Sequence, residues 1–244
     1  MEIIPGPAFP LVFFAAFALE RVLPQRNQPR LRAGWAVLGI VSFFVAAAIR
    51  IPLPAAIASA MTGVSPIDLS GLPLVASVPL VLLVTGFFGY WVHRATHRSD
   101  RLWRWSHQMH HAAERVDIAG FSYTHPIDHV LAVLASAPVI ALLGIAPDAA
   151  AIAGFIGFVL GIFEHMDLKT PRWVGWVIFR PEQHAVHHQR GVHAYNYGLL
   201  PIFDMLFGTF RNPEKVEAPF GFWDGASHRV LAMLGGRDVG TPRA

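Results

Sequence analysis

The sequence predicts an all-α integral membrane protein, with about three N-terminal transmembrane helices followed by a helical hairpin. Three observations predict it. Hydrophobic residues make up 54% of the 244 positions and charged residues only 14%, against about 25% charged in a soluble chain. The apolar residues are gathered into long runs, and the basic residues fall in alternate connections between those runs. With a net charge of +3 the chain has no nucleic-acid signature, and with no cysteine it has no disulfide, thiolate metal site or cysteine nucleophile.

The first apolar run, Ala8 to Leu19, ends at Glu20-Arg21. It lacks the basic leader and cleavage site of a signal peptide, so it reads as a retained first transmembrane helix. A polar connector with Arg26, Arg30 and Arg32 leads to the second run, Gly34 to Ile49. Pro52, Pro54 and Pro66 then break a charge-poor segment that reads as re-entrant or as a loop on the far side. The third run, Leu72 to Trp91, is long enough to cross a hydrocarbon layer of about 30 Å. Two shorter runs, Val130 to Ile145 and Ala149 to Phe163, form the hairpin around Pro147-Asp148. Either two full spans or a shallow insertion fits their length. Gly154, Gly157 and Gly161 share a face of its second arm, which suits close helix packing.

Arginine placement gives the orientation. Four arginines, Arg21 included, follow the first run and five lie between Arg94 and Arg115, whereas none lies between Ile51 and Leu72. The positive-inside rule puts the N-terminus outside, with the Arg94–Arg115 segment and the C-terminus in the cytoplasm, in what reads as a bacterial inner membrane. Three parts follow: membrane helices and loop over 1–71, a histidine-rich body over 72–212, and a polar tail over 213–244.

The polar residues of that body are unusual. His93 and His97 stand four apart at the inner end of the third run; His107, His110 and His111 follow as H-x-x-H-H, and His184, His187 and His188 repeat the spacing. Residues three and four apart on a helix are neighbours, so each group points imidazoles the same way. Three such groups indicate a polynuclear metal site of neutral imidazoles at helix ends, just below the membrane surface. The glutamate that a zinc protease places after its first histidine is missing. By imidazole alone, zinc, copper, iron and nickel all stay open.

With Asn196-Tyr197-Gly198 and Phe203-Asp204-Met205-Leu206-Phe207-Gly208-Thr209 added to these histidines, residues from about 85 to 212 resemble the fatty acid hydroxylase and sterol desaturase superfamily of membrane di-iron oxygenases. The resemblance implies His93, His97, His107, His110, His111, His165, His184, His187 and His188 as metal ligands. It matches an H-P-x-[Asp/Glu] step at His125-Pro126-Ile127-Asp128; Pro126 suits a first helical position and puts His125 at the N-cap. His125 is a tenth candidate, as ligand or as outer group. Asn196 and Asp204 are candidates for orienting imidazoles from behind, His129 is undecided, His193 is expected to be non-essential, and His228 reads as a surface residue.

The resemblance also implies two iron ions (with zinc as a substitute), O2 as co-substrate, and hydroxylation or desaturation of a membrane lipid. Electrons would come from an external ferredoxin or small cytochrome with its reductase. Arg94, Arg98, Arg101 and Arg104 would either dock that donor or reflect topology alone. Two rivals are a zinc-dependent membrane hydrolase and a haem-binding membrane cytochrome.

Overall fold

In a computed structural model, which describes residues 6–23, 28–29, 33–216 and 219–240, the chain is helical throughout, and no strand occurs among the described residues. The expected connector at Arg26, Arg30 and Arg32 lies outside them. Helices α1 (Ala8–Val22), α2 (Trp35–Arg50), α3 (Pro52–Ala60) and α4 (Leu74–Thr96) are followed by a short helical stretch. That stretch runs through α5 (Asp100–Leu102), a π turn (Trp103–His107) and α6 (Gln108–His111). Then come α7 (Ile118–Ser122), the hairpin arms α8 (Pro126–Leu142) and α9 (Pro147–His165), α10 (Pro181–His187), α11 (Pro201–Leu206) and α12 (Val230–Leu234).

Three segments are long and apolar enough to cross a membrane: Trp35–Ala60 with 26 residues, Leu74–Thr96 with 23 and Pro147–His165 with 19. At 1.5 Å per residue these measure about 39, 35 and 28 Å. The first run does not qualify. Helix α1 has 15 residues, about 22 Å, and it ends on a buried Glu20 whose carboxylate accepts from the backbone N–H groups of Ile118 and Asp167. One side of it packs inward, with Phe13 stacked on Phe43 at 4.2 Å, while Leu11, Phe14, Leu19 and Val22 are exposed. The arms of the hairpin differ likewise, because α8 stops at 17 residues.

The expected break at Pro52 and Pro54 is a joint rather than a loop, with α2 ending at Arg50 and α3 starting at Pro52. Pro52 sits at the first position of α3, where its missing N–H removes no helical bond; Ile51 stays helical and its N–H still reaches the Ala47 carbonyl. Helices α2 and α3 thus read as one long span with a joint.

Helix α4 is the central post, packed against α8 and α9 and, near its end, against α11. Gly86 makes the last contact possible, since a Cβ there would lie 2.7 Å from the Phe203 ring. Gly39 does the same for α2, where a Cβ would sit 2.6 Å from the Ala119 Cα. On α9 only Gly161 is pressed in this way, against Phe121; Gly154 faces open space. Residues 219–240 of the tail fold onto the body. Ala226, Met233 and Val239 join a buried cluster with Trp35, Met109 and Tyr123. The Gln108 side chain donates to the Arg237 carbonyl and accepts from the Val239 N–H.

Candidate metal centre

Nine imidazoles converge from five helical segments, and they divide into two sets. His93, His97, His107, His111 and His187 form one; His110, His165, His184 and His188 form the other. Within each set the nitrogens lie within 4.8 Å of one another. Each H-x-x-H-H group serves both. His107 and His111 turn to the first set and His110 to the second; His184 and His188 turn to the second and His187 to the first. The sets adjoin, because the His111 ring stacks on His188 at 4.3 Å.

Carbonyl or carboxylate acceptors behind four of the rings, His93, His107, His165 and His187, fix their tautomers. An Nδ1–H donates from His93 to the Tyr197 carbonyl at 2.8 Å, from His187 to the Tyr195 carbonyl at 2.8 Å, and from His165 to the Gly161 carbonyl at 2.7 Å. His107 Nδ1 meets Asp128 at 3.1 Å, His110 Nδ1 meets the Thr124 hydroxyl at 3.2 Å, and His111 Nδ1 meets His193 at 3.0 Å. A proton on Nδ1 leaves the Nε2 lone pair free, as in metal-bound histidines.

These Nε2 atoms face each other at 2.9 Å for His93–His107, 3.0 Å for His111–His187, 3.3 Å for His110–His165, and 2.9 Å for both His165–His184 and His184–His188. In His93–His107 both Nε2 lone pairs are free, and two lone pairs at that distance repel unless a cation lies between them. Adjacent ligands on metal–nitrogen bonds of about 2.0–2.1 Å are separated by about 2.9–3.4 Å, so the spacing is that of a coordination sphere. The buried His97 Nε2 has no protein partner. The donor set fits a pair of transition-metal ions.

Electrostatics agree. His97, His110, His111, His184, His187 and His188 are held well below the ordinary 6.5, first by burial and then by neighbouring imidazoles. They are neutral, the form that binds metal.

Residues 78–209, just over half of the chain, match the family model described as fatty acid hydroxylase. The chain belongs to the fatty acid hydroxylase family. It is 29% identical over 148 residues to an ornithine lipid hydroxylase of Rhizobium tropici, covering 59% of this chain and 44% of that protein. It is 27% identical over 139 residues to a very-long-chain aldehyde decarbonylase of Oryza sativa, covering 53% and 52%. Identity to a Delta(7)-sterol-C5(6)-desaturase of Nicotiana tabacum is 25% over 156 residues, covering 62% and 55%. The chain thus spans about half the length of these relatives. No solved structure matches it.

In this fatty acid hydroxylase family member the tenth candidate stands apart. His125 caps α8, with Nδ1 accepting from the Ile127 N–H and Nε2 reaching the Leu234 carbonyl at 3.4 Å, and it joins neither set. Asn196 and Asp204 hydrogen-bond no imidazole among the described residues. Asn196 bonds the Gln183 carbonyl and the Arg211 backbone, while Asp204 accepts from the N–H groups of Tyr197 and Gly198 and from the Thr209 hydroxyl. They hold a loop in which His193, Tyr195 and Asn196 all have positive φ (39°, 69° and 49°), a strained conformation for side-chain-bearing residues. That loop aims the Tyr195 and Tyr197 carbonyls at His187 and His93.

His193, expected to be dispensable, backs His111, and burial lowers its pKa to about 4. Asp128 was overlooked as a partner of His107, although it belongs to the same H-P-x-D step as His125. Thr124 and the three carbonyls had no sequence signal. Glu164 was missed too; its carboxylate lies 3.9 Å from His165 Nδ1 and 4.0 Å from His184 Nδ1. His228 is exposed as expected.

Proposed function

We propose that the protein is an O2-dependent hydroxylase or desaturase that acts on C–H bonds of a membrane lipid, with two iron ions held by the nine histidines. The observation that carries this reading is the division of nine imidazoles into adjoining sets of five and four. Iron bound there would supply the electron chemistry that activates dioxygen against an unactivated C–H bond. The chain's own part is to hold the two ions side by side, to fix ring orientation through Asp128, Thr124, His193 and the three carbonyls, and to keep bulk water from the buried second set.

Helices α4 and α9 end at His97 and His165, so the centre lies at the mouth of two apolar spans and a lipid can present its chain from the bilayer. The arginine asymmetry supports a mouth on the cytoplasmic face of an inner membrane. Arg98, Arg101 and Arg104 are exposed there and offer an acidic ferredoxin or small cytochrome a complementary surface. The rivals fare less well. The rings pack tilted against one another with centroids 4.1–5.2 Å apart in pairs such as His165–His184 and His110–His165, closer than a haem between facing histidines would allow. Nine imidazoles also exceed the three protein ligands of a catalytic zinc site.

The deciding experiment joins metal analysis to lipid profiling. Purified protein should carry two irons per chain without a Soret band, and cells with the gene should contain an oxidised lipid that cells without it lack, only in oxygen. One metal per chain at full activity, or turnover under strict anaerobiosis, overturns the proposal.

A further inference from the structure

Arg50 stands within the longest apolar span, Trp35–Ala60, and its side chain is exposed. Its Nε donates to His129 Nδ1 at 3.2 Å. It forms no ion pair among the described residues, so the two terminal guanidinium nitrogens have no acceptor. A charged side chain in an apolar helix is costly and ordinarily marks a site. The bonded partner here is a ring; the one carboxylate whose charge acts on Arg50, Asp128, is bonded to His107 and makes no ion pair with it.

His129 adds an independent observation. Because Nδ1 accepts from Arg50, the ring proton sits on Nε2. His129 is only 5% exposed, and its Nε2 is buried with no hydrogen-bond partner among the described residues. A buried donor without an acceptor is rare in folded proteins and calls for an explanation such as a ligand. An arginine fork and an imidazole N–H, joined by one hydrogen bond, lack oxygens from the same direction of need: the first an oxyanion, the second a carbonyl, ester or hydroxyl oxygen. The neighbouring residue, Asp128, bonds His107 of the metal centre. The pair therefore lies one residue along α8 from the support of the oxidising site.

We propose that Arg50 and His129 form the headgroup site for the lipid substrate, and that this substrate is acidic, with a phosphate or carboxylate gripped by Arg50 and a second polar oxygen bonded to His129. A lipid rather than a soluble anion is indicated because Arg50 opens onto an apolar helix surface. The inference rests on the lipid-oxidising reading above and names its substrate class. Arg50 and His129 bind and position; neither touches the reacting carbon.

The test uses the purified metal-loaded protein in neutral detergent, with binding read by native mass spectrometry. Short-chain phosphatidylglycerol, short-chain phosphatidylcholine and inorganic phosphate are the probes. Wild type should bind phosphatidylglycerol at least tenfold more tightly than phosphatidylcholine. Arg50→Gln should abolish that preference while keeping the wild-type metal content, and Arg50→Lys should retain most of it. His129→Phe should weaken phosphatidylglycerol binding several-fold and raise KM for an acidic lipid with kcat held.

Unchanged preference in Arg50→Gln overturns the site. So does inorganic phosphate binding as tightly as phosphatidylglycerol, or loss of metal in Arg50→Gln, which would make Arg50 a support of the histidines. If Arg50→Gln does not fold, a loss of preference in Arg50→Lys as complete as for an uncharged side chain overturns it equally. Should the acidic lipid bind through Arg50 while wild type oxidises no lipid, the headgroup site stands and the enzymatic reading fails; an oxidised neutral lipid with no Arg50 dependence gives the reverse.

Discussion

The two histidine sets are built by different means. The five-membered set draws its backing from a side-chain carboxylate, a further histidine, and two carbonyls of a strained loop. Two of its members, His93 and His97, are only half-buried. The four-membered set is buried throughout and is backed within the body, by the Thr124 hydroxyl and by the Gly161 carbonyl one turn back on the same helix. A site held by helices is rigid as built. A site held partly by a loop depends on whatever holds the loop, and that makes Asn196 and Asp204 matter to a set they never touch.

The largest expected effect separates the sets outright. Losing a ring removes a ligand and leaves other imidazoles crowded around the gap. His97→Ala and His187→Ala should lose the ion of the first set, and His165→Ala and His188→Ala that of the second, each with activity down more than about 100-fold, beyond the loss of an outer partner. Insertion in the membrane should survive, since the apolar spans are unchanged. Metal counting by plasma mass spectrometry reads the result. Loss of both ions from every variant would mean one cooperative centre rather than two separable ones.

Next come the outer partners. Asp128→Asn keeps the shape but removes the charge behind His107, and should cost about 10–100-fold in metal affinity or activity. Thr124→Val removes a neutral partner of His110 and should cost less than Asp128→Asn in the same assay. Equal losses would show that the charge on Asp128 contributes nothing special.

The histidine spacing was the most legible part of the protein, and it held more than a list of ligands. On a helix of 3.6 residues per turn, positions i and i+4 differ by about 40° while i+3 falls about 60° to the other side. A helix between two ions must send its outer pair one way and its middle histidine the other, as His107, His111 and His110 do. What stayed hidden was backbone. The carbonyls of Gly161, Tyr195 and Tyr197 have no side-chain signature, and the positive φ angles that aim two of them fall on His193, Tyr195 and Asn196 rather than on a glycine. Helix α1 shows a mixed face: Phe13 and Ala16 pack inward while Leu11, Phe14, Leu19 and Val22 stay exposed, and the buried Glu20 near its end is a tether to Ile118 and Asp167.

Acidification probes both sets together. The lowered pKa values mean that unfolded chains bind protons which the folded centre refuses. As pH falls below 6.5 the unfolded state therefore gains protons first, and folded-state stability declines. Protons also compete with metal for the same nitrogens. Metal content and melting temperature should hold at pH 7–8 and fall together between about 6.5 and about 4, the latter set by His193. A flat profile across that window would contradict the burial that lowers these groups.

The smallest effect is the most specific to the loop. Asp204 satisfies the N–H groups of Tyr197 and Gly198 and the Thr209 hydroxyl at 2.6–2.8 Å, and is itself fully buried. Asp204→Asn keeps one acceptor oxygen but turns the other into a donor facing an N–H. One buried donor then goes unpaired, at a cost of about 1–3 kcal/mol, and the melting temperature should fall by several degrees. The Tyr197 carbonyl would lose its aim at His93, so bound metal should leave the five-membered set more readily than the four-membered one. Asn212, which bonds Arg172 and Arg180 away from the loop, supplies the control: Asn212→Ala should lower stability by a similar amount without favouring loss from either set. Equal release from both sets in Asp204→Asn would mean that the loop carbonyls do not steer the histidines they face.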